Sequence, residues 1–112
     1  MKKFLVVYIA PAEEAMKMMA SATPEQKAAG MKPWMDWMAK CGSALLDGGA
    51  PLMPGQMLST GASWNPSLRD LTGYSILQAN DIEAAKKLLE DHPHMDWMPG
   101  CAIEVSEMVP MG

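Results

Sequence analysis

Lys2-Lys3-Phe4-Leu5-Val6-Val7-Tyr8-Ile9-Ala10-Pro11 is the stretch that decides the fold. It is β-branched and aromatic, opened by two lysines and closed by a proline, which marks a strand. Side chains alternate across a strand, so Phe4, Val6 and Tyr8 share one face and Leu5, Val7 and Ile9 the other. Both faces are apolar, so this strand belongs in the middle of a sheet and needs cover on each side. The basic start followed by an apolar run imitates a signal peptide. The run from Phe4 to Ala10 is too short to cross a bilayer, and it reads as a strand of a cytoplasmic protein with no membrane partner.

Downstream, Ala12 to Ala22 is rich in helix formers. Thr23-Pro24-Glu25-Gln26 then reads as a capping box with proline at the first helical position. The spacing predicts a helix from about Pro24 to Lys40 ending at Gly42, kinked or broken near Met31-Lys32 by Pro33. Trp34, Trp37, Met38 and Cys41 share one apolar face of it. Ser43 to Asp47 reads as a short strand ended by Gly48-Gly49. Residues 49–72, with Pro51, Pro54, Gly55, Gly61 and Pro66, have the composition of an irregular connection or a long hairpin arm. Leu71 to Ala79 alternates as a strand, Asn80-Asp81 caps a helix expected to reach about Asp91, and Cys101 to Met108 is the last strand, with Cys101, Ile103 and Val105 on one face.

The order is βαββαβ in a single domain over residues 1–112. That order folds most economically as an α+β, ferredoxin-like unit: a four-stranded antiparallel sheet with both helices on one face. The other sheet face is left bare, and a second subunit packing sheet to sheet is its simplest cover, so a homodimer is expected.

Apolar residues at 49% and charged residues at 20% suit a globular chain, and a second domain would leave each half too small for a core. A net charge of −4, with no basic cluster beyond Lys2-Lys3 and Lys86-Lys87, offers nothing with which to grip phosphates, so nucleic acid is excluded as a partner. Cys41 and Cys101, far apart in sequence, read as free thiols in a reducing compartment.

The segment His92-Pro93-His94-Met95-Asp96 puts two imidazoles and a carboxylate at alternate positions. Were it extended, His92, His94 and Asp96 would point one way and could serve as acid-base groups; zinc ligation from five consecutive residues would be unusual, and no metal is assigned. The plainer reading sets His92 at a helix C-terminus, where the dipole favours a partly positive ring, with the rest a surface loop. Trp34, Trp37 and Trp97 are wide apolar plates suited to walling a pocket or filling a core. Asp47 at a strand end is a candidate pocket carboxylate, or simply a turn residue. Tyr74 on a neighbouring strand is a candidate donor, or simply a core aromatic. Met-x-x-Met pairs at Met16/Met19, Met35/Met38, Met95/Met98 and Met108/Met111 raise copper handling, although thioethers more commonly fill gaps in cores. No cofactor and no nucleophile are assigned.

Leu71-Thr72-Gly73-Tyr74, Asp81-Ile82-Glu83-Ala84-Ala85, His92-Pro93, Ala102-Ile103-Glu104-Val105 and the central Leu46-Asp47-Gly48-Gly49-Ala50-Pro51-Leu52 come in an order that resembles the YCII/DGPF-related family. The resemblance implies a dimeric α/β barrel with a pocket between the sheet and the helix-linking segments. In some members a histidine on the first helix and an aspartate before a proline form a pair there. Here residues 31–34 hold no histidine and the residue before the proline is His92, so neither half of that pair is carried over. The expected function is a dimeric small-molecule-binding protein, or an enzyme acting on a small, partly aromatic organic substrate. A regulatory or interaction module is the alternative and copper handling the third.

Overall fold

β1, Lys2–Ile9, lies between two antiparallel partners in the middle of the main sheet, as its two apolar faces require. A computed structural model describes residues 1–112. After β1 come α1 (Ala12–Ser21), α2 (Pro24–Cys41), a 3-10 turn at Gly42–Ala44 and β2 (Leu45–Asp47). A small hairpin follows, β3 (Gln56–Leu58) with β4 (Trp64–Pro66), and then β5 (Leu71–Ala79), α3 (Ile82–Leu88), a 3-10 turn at Pro93–Asp96 and β6 (Ala102–Met108).

The main sheet has the order β2-β5-β1-β6 with every neighbouring pair antiparallel, an α+β arrangement compatible with a ferredoxin-like fold. β5 spans the residues the alternation marks out. β6 begins one residue later than expected, and the expected strand from Ser43 splits into a 3-10 turn and three strand residues.

Register sorts the two faces. Val6 pairs with Ser75 and Val105, and Phe4 with Leu77. This face, with Phe4, Val6, Tyr8, Ser75, Leu77 and Ala79 all buried, carries the helices. Trp37 and Cys41 of α2 and Ala85 of α3 close over it. Leu5 pairs with Ile76, and Val7 with Tyr74 and Glu104, on the opposite face. There Leu5, Val7, Ile9, Tyr74 and Ile76 are only partly buried, with no helix above them.

The caps behave as the residues demand. The Thr23 hydroxyl accepts from Gln26 N–H at 3.1 Å while the Gln26 side chain accepts from Thr23 N–H at 2.9 Å. Asp81 accepts from Ala84 N–H at 2.8 Å to start α3. Pro33 does not interrupt α2, which continues to Cys41. Proline removes one backbone donor, and the packing of Trp34, Trp37 and Cys41 beyond it holds the helix to the sheet. α3 stops at Leu88 rather than near Asp91. The Trp37 indole N–H donates to the Leu88 carbonyl at 2.7 Å, occupying an acceptor that another helical turn would have used.

Candidate functional site

Two polar groupings stand out, and the sheet separates them. On the helix face, the Tyr8 hydroxyl is 2.9 Å from Ser75 Oγ, and Ser75 donates to the Gly48 carbonyl at 3.0 Å. Burial pushes the Tyr8 hydroxyl up to about 12, only partly offset by the Ser75 hydrogen bond, so it stays protonated.

His92 lies beside Tyr8 and is fully buried. Its Nδ1 accepts from His94 N–H at 3.0 Å, which places the ring proton on Nε2 when the imidazole is neutral. That Nε2 is the one buried side-chain polar atom without a hydrogen-bond partner. Tyr8, Trp34 and Trp37 surround the imidazole at ring-centroid distances of 5.0, 4.6 and 4.4 Å. Burial, with a smaller push from His94, lowers the His92 pKa to about 4. The expectation of a partly positive ring at a helix C-terminus is therefore corrected: α3 ends earlier, and His92 is a neutral core group.

His94 is also buried, its Nε2 2.8 Å from the Ile9 carbonyl. Asp96 is exposed. The 3-10 turn at Pro93–Asp96 removes the alternation that would have aimed His92, His94 and Asp96 in one direction. Proline at the first turn position and the His92 side chain acting as cap favour this turn over an extended strand. No three His, Cys, Asp or Glu side chains are grouped to hold a metal ion. Trp34 and Trp37 pack edge to face against His92, and Trp97 lies 5.9 Å from His94, so these rings fill the space around the imidazoles. Cys41, the last residue of α2, is buried against the sheet, and burial raises its thiol pKa. Cys41 and Cys101 are both free.

The second grouping is at the edge of the open face. The Tyr74 hydroxyl donates to Asp47 Oδ2 at 3.3 Å, and Asp47 Oδ1 accepts from Gly49 N–H at 2.8 Å. Gly49 has a φ of +77°, and a Cβ on it would collide with the Tyr74 carbonyl, so only glycine lets the chain pass this close to β5. The carboxylate and the phenol thus sit together beside Val7 and Ile76. Of the sequence candidates, Asp47 and Tyr74 meet on one side of the sheet, while His92, His94, Trp34 and Trp37 gather on the other. The Tyr8–Ser75 pair was missed; a serine in the same strand register as Leu77 and Ala79 is the signal that could have found it.

No family model and no curated protein matches this chain.

Proposed function

We propose that the chain is a YCII-like homodimeric binding protein for a small, partly aromatic organic molecule. Two sheets stack face to face in a dimeric α/β barrel, and the ligand lies between them. The observation that carries this reading is the open face of β1 and β5: Leu5, Val7, Ile9 and Ile76 form an apolar surface without cover, edged by the Asp47–Tyr74 pair. Asp47, which accepts hydrogen bonds from the Tyr74 hydroxyl and Gly49 N–H, is an acceptor, so the ligand it suits carries an amine or hydroxyl on an apolar body.

Binding is favoured over chemistry because the imidazoles and the Asp47 carboxylate are on opposite faces of the sheet and share no space. The filling of the His92 surroundings by Trp34 and Trp37 favours a second reading, a non-catalytic interaction module. Free cysteines support a reducing compartment such as the cytoplasm. No helix is long and apolar enough to cross a membrane.

Light scattering tests the dimer and a thermal-shift screen of small amines, alcohols, acids and aromatics tests the ligand. The expected mass is twice 12.2 kDa. A ligand at about a hundred times its Kd adds about 2.7 kcal/mol, a rise of roughly 10 °C for a domain of this size. Asp47→Asn and Tyr74→Phe should abolish the rise without lowering the unliganded Tm by more than a few degrees. A single-subunit mass, or no stabilising compound in the screen, would overturn the proposal.

A further inference from the structure

Residues 48–68 contain no charged side chain. They include the β3–β4 hairpin, whose Gln56–Leu58 and Trp64–Pro66 pair only with each other, in a sheet separate from the main one. A lone two-stranded ribbon is marginal in water, and this one presents Met53 at 68%, Trp64 at 63% and Leu68 at 90% exposure, with Leu52, Met57 and Leu58 exposed beside them. Its base is secured to the edge of the main sheet. Leu52 N–H donates to the Thr72 carbonyl at 3.0 Å and Tyr74 N–H to the Ala50 carbonyl at 3.3 Å, on the same edge that carries Asp47.

The protomer as a whole exposes 7750 Å². A folded monomer of 12.2 kDa is expected to expose about 6,100 Å². The excess of about 1,700 Å² is twice the roughly 800 Å² that each partner contributes to a standard stable interface. The radius of gyration of 15.4 Å likewise exceeds the roughly 13 Å of a compact chain of this length. The α1–α2 segment also exposes apolar side chains, Met16, Met18, Met19, Met31 and Met35, but these are interspersed with charged residues that pair with one another, Glu13 with Lys17 at 3.5 Å and Lys32 with Asp36 at 3.1 Å. The arm has no such charge, and it adjoins the open sheet face, where apolar Leu5, Val7, Ile9 and Ile76 lie among the charged Lys3, Asp47 and Glu104.

We infer that the β3–β4 hairpin is a clasp for a second copy of this chain. The arm of each protomer crosses onto its partner, and Met57, Leu58 and Trp64 close the rim of the space between the sheets beside Asp47 and Tyr74. Two-fold symmetry makes the exchange reciprocal, so one arm sequence covers both sites. The clasp rests on the dimer proposed above and adds that the binding space is incomplete without the partner's arm.

The test is a photo-cross-linking residue in place of Leu58 in the full chain, with 14N- and 15N-labelled protein mixed so that links between chains are distinguished by mass. Expected are abundant mixed-isotope links to the partner's open sheet face. In parallel, Met57→Ser, Leu58→Ser and Trp64→Ser combined should weaken the dimer about tenfold or more, while circular dichroism remains native because none of the three is in the core. A wild-type protein that is a single subunit at micromolar concentration overturns the dimer and the clasp together. Links confined to single chains, or an unchanged dimer Kd in the triple variant, overturn the clasp and leave the sheet-to-sheet dimer standing.

Discussion

Acid should unfold this protein partly through His92. The ring titrates near 4 in the folded chain and near 6.5 once unfolded. Between those values the unfolded state binds the extra proton, so stability rises with pH. The contribution is complete above about pH 6.5, declines as pH falls through the interval, and is gone below about pH 4. At about 1.4 kcal/mol per pH unit, the ceiling is about 3 kcal/mol, a large share of the stability of a domain of this size. Urea denaturation at half-unit steps from pH 7.5 to 4.5 measures it. His92→Asn isolates it, because the Asn Oδ1 replaces Nδ1 as acceptor for His94 N–H while nothing at that position titrates. The variant should be less stable at pH 7.5, through lost packing against Trp34 and Trp37, by about 2–3 kcal/mol. That deficit should shrink toward zero by pH 4.5, since carboxylates titrate alike in both proteins. A deficit that stays constant across the range would refute the neutral, desolvated imidazole.

Val7→Lys, on the open face opposite Tyr74 and Glu104, should leave the protomer folded and halve the mass seen by light scattering; an unchanged dimer would place the interface elsewhere. Gly49→Ala should destabilise the chain by at least about 2 kcal/mol, because the left-handed backbone is strained for alanine and its Cβ meets the Tyr74 carbonyl. Hydrogen exchange should then show the β2–β5 edge opening, and native-like protection there would contradict the close approach. Trp37→Phe removes the 2.7 Å bond to Leu88 O and should lower stability by about 2 kcal/mol in urea. A change under 0.5 kcal/mol would mean that water replaces the indole.

The two central strands were legible from local pattern: Leu71 to Ala79 through alternation, and Phe4 to Ile9 through an unbroken β-branched and aromatic run, and the resulting antiparallel pair forms the centre of the sheet. Thr23 to Gln26 and Asp81 marked helix starts through side chains that bond their own backbone, which needs no distant partner. The end of α3 was not legible. It depends on Trp37, 51 positions earlier in the chain, delivering its indole N–H to Leu88.

The candidate site divides along the same line. Composition and residue type picked out His92, His94, Asp96, Asp47 and Tyr74, but only chain packing assigned them to sides. A 3-10 turn buried the two histidines among aromatic rings, and the crossing at Gly49 joined Asp47 to Tyr74. By itself, the amino-acid order determined the central strands, the helix starts and the two-faced apolarity of β1, because these depend on neighbours a few residues away. Tertiary structure alone decided which polar groups meet and which titrate abnormally, because desolvation and hydrogen bonding there come from residues remote in sequence.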